Sequence, residues 1–206
     1  MRRMLMQSLM ALFLAVTAGL IPDPAAAEES SGAGIIKGTV SATPMKYAAG
    51  VVVHLVGIKG TFRPSAKASM DQKGMRFIPH VLPVLKGTTV DFLNSDSVRH
   101  NVFSPDGTRF NLGTWPQGQT KAFAFSQTGV YRMLCNVHAE MEAFIVVLEN
   151  PYFAVTERDG TYQIKGVPPG SHTVRAWSEK LAEATQPVTV PASGSVDVNF
   201  ALKRGR

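Results

Sequence analysis

One cysteine, Cys135, is all this chain contains, so no internal disulfide can staple its fold. Charged residues make up only 17% of it, and the lysines and arginines are scattered rather than clustered. That pattern argues against a nucleic-acid partner, which would call for a basic stripe or patch. Beyond the N-terminus no apolar run approaches the roughly 20 residues a membrane span needs. Disorder is excluded from the other side, because 45% of the residues are hydrophobic and can build a packed core. Gly 18 and Pro 13, with valine and threonine spread throughout, favour many short strands and turns over helices.

The first residues read as a leader. Arg2 and Arg3 precede an uncharged apolar run from Leu9 to Leu20, and Ala25, Ala26 and Ala27 supply the small residues of a cleavage site. We expect residues 1–27 to be a signal peptide, the mature chain to start near Glu28, and the protein to be exported. It would be periplasmic in a Gram-negative source, with no transmembrane segment after cleavage. A retained N-terminal anchor is the alternative. The net charge of +6 falls by one unit with Arg2, Arg3 and Asp23 gone, and the remaining surplus could steer an acidic partner protein.

A lone thiol in an oxidising compartment is open to oxidation or mispairing. It must be buried, paired with another chain, or bound to a metal. The residues around it decide. Tyr131-Arg-Met-Leu-Cys135-Asn-Val-His138-Ala-Glu-Met141 sets Cys, His and Met at C-x2-H-x2-M spacing. Thiolate, imidazole and thioether form a soft to borderline donor set that favours copper over magnesium, calcium or manganese. A further ligand must come from elsewhere, and His100 ends an apolar strand well upstream. Two imidazoles and a thiolate in a plane, with a weak axial methionine, make a blue-copper site. The candidate ligands of one type 1 copper ion are therefore His100, Cys135, His138 and Met141. A buried structural thiol, a thiol nucleophile and a zinc site are the competing readings. Structural zinc sites take Cys and His, and Met141 would have no part in one.

Several stretches carry a family resemblance. They are Phe77-Ile-Pro-His-Val-Leu-Pro-Val, Lys86-Gly-Thr-Thr-Val-Asp-Phe-Leu-Asn-Ser-Asp, His100-Asn-Val-Phe, and Phe123-Ala-Phe-Ser-Gln-Thr-Gly-Val-Tyr131 with the Cys135 loop. Together these resemble a cupredoxin of the plastocyanin and amicyanin type, and the short ligand loop is the more similar to amicyanin. The resemblance implies a Greek-key β-sandwich over residues 61–150. It also implies that Asn101 braces the two ligand loops and helps hydrogen-bond the cysteine sulfur. His138 would then show its ring edge at the surface as the electron exit.

Other candidates are weaker. His80 could be an extra ligand or part of a second metal site, or simply a half-exposed strand histidine. Met133 reads as core beneath the site, His54 and His172 as structural, and Met70 and Met75 as flanking a turn.

The C-terminal stretch alternates in short strands around an Asp159-Gly turn and a Pro168-Pro-Gly170 turn. With Gly34-Ile-Ile-Lys-Gly-Thr-Val and Gly50-Val-Val-Val-His-Leu-Val-Gly57 it resembles a carboxypeptidase regulatory-like, transthyretin-like sandwich. That sandwich would be discontinuous, residues 33–60 plus 151–204, with the cupredoxin between its parts. A simple tandem is the alternative, and strand pairing between residues 35–40 and 172–202 decides between them. The expectation is thus an all-β protein that passes single electrons between redox proteins, such as a c-type cytochrome and a periplasmic dehydrogenase or oxidase. It would not be an enzyme. A periplasmic copper carrier or store is the rival function.

Overall fold

The computed structural model describes residues 32–64 and 67–205, so the expected leader lies outside the described residues. Within them the chain is almost all β, with a single turn of 3-10 helix at Met45–Tyr47. The strands begin with β1 (Gly34–Thr43), β2 (Val52–Val56), β3 (Ala68–Gln72), β4 (Phe77–Ile78), β5 (Val81–Leu85) and β6 (Thr89–Asn94). Next come β7 (His100–Ser104), β8 (Phe110–Trp115), β9 (Thr120–Ala124), β10 (Gly129–Leu134) and β11 (Glu142–Leu148). The chain ends with β12 (Phe153–Val155), β13 (Thr161–Val167), β14 (Gly170–Trp177), β15 (Ala184–Val190), β16 (Ser195–Asp197) and β17 (Phe200–Lys203).

Strands β3 to β11 form two sheets, ordered β4-β3-β6-β9 and β5-β11-β10-β7-β8. Their inward residues include Met70, Phe92, Val102, Tyr131, Met133 and Ile145, which share one buried core. The remaining strands form two other sheets, β12-β2-β14-β15 and β13-β1-β16, with β17 also on β1. Their core is separate, and Ile36, Val53, Leu55, Ile164, Val174 and Phe200 belong to it.

Strands from both ends of the chain therefore close the same sheets. Ile36 pairs with Ile164 and Val196, and Val40 pairs with Phe200. Gly38 sits where the C-terminal strands cross β1, and a Cβ there would lie 1.9 Å from the Val198 carbonyl oxygen. Only glycine allows that approach. The whole segment from β3 to β11 leaves and re-enters between β2 and β12, which are themselves antiparallel neighbours. Leu55 N–H donates to the Tyr152 carbonyl (3.0 Å), and Asn150 Nδ2 donates to the Leu55 carbonyl (3.0 Å), tying the two crossings together.

The two sandwiches also touch through side chains. Along β2, Val53 and Leu55 face their own core, whereas Val52 packs with Val146 and Leu148 of β11. Ala143, Ile145 and Val147 of the same β11 face the other way, into the first sandwich. Period-two alternation explains both sets. A strand covered on both faces reads as a continuous apolar run, as Ile145-Val-Val-Leu148 does. Each fully buried valine or leucine at this junction contributes about 1.5–3 kcal/mol relative to exposure. Trp177 and Phe153 complete the contact, with the Trp177 ring edge-on to Phe144 at 5.7 Å.

Candidate metal centre

Tyr131, Met133 and Cys135 point to the same face, and all three are buried. This alternation along β10 delivers the thiol to the end of the first sandwich. β7 runs beside β10, and its first residue, His100, pairs with Trp115 on the far side. The chain then turns through residues 136–141, held by the Met141 N–H on the His138 carbonyl (3.1 Å).

The result is a compact donor group. One ligand atom each from His100, Cys135 and His138 lies within 4.8 Å of the others, and among the described residues no other set of three His, Cys, Asp or Glu side chains comes so close. His100 is 0% exposed, Cys135 4% and Met141 1%, whereas His138 is half-buried. Met141 and Cys135 belong to the same buried cluster. The Nδ1 atoms of His100 and His138 face each other at 3.1 Å. Two ring nitrogens aimed at one point beside a buried thiol suit a soft or borderline cation far better than a dry core. The residues present fit copper.

Outer contacts hold the donors. The Asn101 N–H donates to Cys135 Sγ at 3.5 Å. Its side-chain Nδ2 donates to Asn111 Oδ1 (2.8 Å) and to the Gly113 carbonyl (3.0 Å), while its Oδ1 accepts from the Asn136 N–H (3.4 Å). Asn101 thus links the β7–β8 pair to the loop after Cys135. On the other side of the site, His100 Nε2 meets Asp96 Oδ2 at 2.8 Å. Burial pushes the Asp96 carboxyl up, but hydrogen bonds from Met75, Gly74 and His100 outweigh it and hold the group below the usual carboxylate range.

Asp96 was not singled out from the sequence. The available signal was a carboxylate four residues ahead of a candidate ligand, in the Asn94-Ser-Asp-Ser stretch.

His80 does not join the donors. Its Nε2 bonds Glu179 Oε1 at 2.7 Å, and its Nδ1 bonds the Glu142 carbonyl at 3.1 Å. It lines a surface groove with Met141 and Glu179, so its place is at the junction of the two sandwiches. Met133 lies in the core, Met70 is buried, and Met75 is 41% exposed. His54 is held by the Leu55 carbonyl at 3.3 Å, and His172 by the Pro168 carbonyl at 2.8 Å.

The model for copper binding proteins of the plastocyanin/azurin family matches residues 64–148. That segment is a cupredoxin domain. A carboxypeptidase regulatory-like domain matches residues 141–203. The second match takes in β12 to β17 but leaves out β1 and β2, which pair in the same sheets. It also overlaps β11, a cupredoxin strand by its pairing with β10 and β5. No curated protein matches the chain. Among solved structures, the purple cupredoxin from Nitrosopumilus maritimus is 26% identical over 39% of this chain and 99% of that one, with a TM-score of 0.37. The copper-containing nitrite reductase from Thermus scotoductus is 23% identical over 54% of this chain and 28% of that one (TM-score 0.40). A methionine-to-alanine variant of amicyanin in the Cu(I) state is 19% identical over 47% and 98% (TM-score 0.38).

Proposed function

We propose that this chain is an exported type 1 copper protein that passes single electrons between redox proteins. The observation that carries the reading is the convergence of His100, Cys135 and His138 in a site where only His138 is partly open to solvent. Copper bound there supplies a one-electron couple. The protein's part is to keep the donors still. Cys135 is held by packing and by Asn101, His100 by packing and by Asp96, Met141 would supply the thioether, and buried surroundings exclude water. A fixed donor set changes little between oxidation states, which keeps the reorganisation cost of electron transfer low. The half-buried His138 offers the shortest way for an electron to leave.

On this reading the protein is a shuttle rather than an enzyme, with His100, Cys135, His138 and Met141 as the residues that would hold the copper. Its partners are redox proteins, such as a c-type cytochrome and a periplasmic dehydrogenase or oxidase. Export is consistent with the basic and apolar N-terminal residues, and no helix among the described residues is long and apolar enough to cross a membrane.

The test is spectroscopic. Copper-loaded protein should show an intense visible thiolate-to-copper band and a reversible one-electron reduction. Cys135→Ser should abolish the band. A colourless copper complex, or a band that survives Cys135→Ser, refutes the proposal. Surrender of the copper to a chelator within minutes would point to the carrier function.

A further inference from the structure

We propose that Asp96 is a positioning residue that sets the electron affinity of the site through His100, and that the Gly74–Met75 turn regulates how strongly it does so. The inference rests on the copper reading of His100 and goes beyond it.

Three features of the structure converge on this carboxylate. The first is the ring it holds. His100 is fully buried, and its Nε2 has Asp96 Oδ2 at 2.8 Å as partner. A carboxylate can only accept, so Nε2 carries the proton and Nδ1 is left as the donor facing Cys135 and His138. A carboxylate behind a ligating imidazole fixes its tautomer and raises its basicity. A more basic imidazole, with an anion behind it, favours copper(II) over copper(I).

The second feature is the loop that presents Asp96. Asn94 Nδ2 donates to the Val98 carbonyl (2.9 Å) and the Trp115 carbonyl (3.1 Å), and Asn94 Oδ1 accepts from the Asp96 N–H (3.0 Å). The carboxylate is therefore built into place. Its side chain is 16% exposed, enough shelter for its charge to be felt at the ring.

The third feature is the β3–β4 turn, closed by Lys73 N–H on the Arg76 carbonyl (2.9 Å). Gly74 and Met75 both have positive φ, 63° and 56°. Glycine adopts this region freely, but methionine does so at a cost. What that conformation achieves is to aim two successive N–H groups at Asp96. Gly74 N donates to Oδ1 at 2.6 Å, and Met75 N donates to Oδ2 at 2.9 Å. Oδ2 is thus shared between the turn and His100. The more of its charge the Met75 N–H takes up, the less reaches the imidazole.

The two halves of the proposal predict shifts of opposite sign. Asp96→Asn keeps an acceptor oxygen and the side-chain size but removes the charge. It should weaken copper(II) binding about tenfold more than copper(I) binding, within the range for outer partners of ligating histidines. A tenfold change in a one-electron couple is about 59 mV, so the potential should rise by that amount with the visible band retained. Replacing the residue at 75 by its α-hydroxy acid turns the N–H into an ester oxygen and frees Oδ2, so the potential should fall. Met75→Gly keeps the N–H and should leave the potential unchanged while raising stability. A merely structural role would move stability without this pattern.

In unsubstituted Cu(I)-loaded protein, the His100 Nε2 proton should be visible by nuclear magnetic resonance and slow to exchange with solvent. That measurement needs no variant to fold. A fast-exchanging or absent Nε2 proton overturns the proposal. So does an unmoved potential in Asp96→Asn, or an ester at 75 that raises the potential. Absence of the visible band in the unsubstituted protein would instead sink the copper reading itself.

Discussion

Removing the Asn101 side chain should loosen the site and the cupredoxin fold together, by an amount the hydrogen bonds allow to be worked out. Asn101 is 1% exposed and makes two short side-chain bonds, at 2.8 and 3.0 Å, and one long one at 3.4 Å. A net value of about 1 kcal/mol per good bond gives about 2 kcal/mol for the pair. The orphan penalty on the former partners is small. Asn111 and Gly113 are both exposed and can be rehydrated, and Asn111 Oδ1 keeps the Gly113 N–H at 2.8 Å. Asn101→Ala should therefore cost about 2 kcal/mol, or roughly 4–8 °C in Tm for a chain of this size. The backbone N–H on Cys135 Sγ is unaffected by the substitution, so the visible band should persist. The loop after Cys135 loses its tie through Asn136, so copper should dissociate faster. Urea unfolding of the copper-free protein, followed by tryptophan fluorescence, measures the first effect, and chelator capture measures the second. A loss below about 0.5 kcal/mol, in the range of an ordinary surface change, would refute the bracing role.

Two further outcomes follow from the junction of the sandwiches. Trp177→Ala should remove the partly buried ring that packs on Phe144 beside Val146 and Leu148, at a cost of about 3 kcal/mol, the low end for a tryptophan truncation. Calorimetry should then resolve two unfolding transitions, and a single unshifted one would count against the junction. His54 gives a pH signature. Burial, reinforced by the Arg175 guanidinium and only partly offset by the Leu55 carbonyl, holds its folded pKa below the ordinary histidine value of about 6.5. As pH falls below that value the unfolded chain takes up a proton that the folded chain resists. Stability should therefore be full above about 6.5 and decline as pH drops toward the folded value. His54→Gln should flatten that slope in urea titrations at several pH values, and an unchanged slope would exclude His54 as its source.

Local spacing made part of the site legible. Cys135, His138 and Met141 lie in one loop, and their offsets are set by a few residues of chain, so the thiol, imidazole and thioether could be grouped by reading alone. The alternation along Thr161–Val167 likewise displays which side chains turn inward. The need for a further donor pointed to His100 at the end of an apolar strand, and family likeness added Asn101. Of the readings open for His80, the half-exposed one matches its surroundings, but it lies between β4 and β5 rather than on a strand, and Glu179 from the other sandwich takes its Nε2. No local pattern announces a partner that arrives from a hundred residues away.

By itself the sequence determined the soft donor loop, the strand-and-turn character, and two sets of apolar periodicity, because each depends on neighbours within one strand or turn. Only the tertiary structure decided that β1 pairs with β13, β16 and β17 across the intervening cupredoxin. It alone turned Val146 and Leu148 toward a second sandwich. It also set the carboxylate of Asp96 between the His100 ring and the N–H groups of Gly74 and Met75. Such choices are made by hydrogen-bond register and burial between distant segments, whose free energy exists only once the sheets have met.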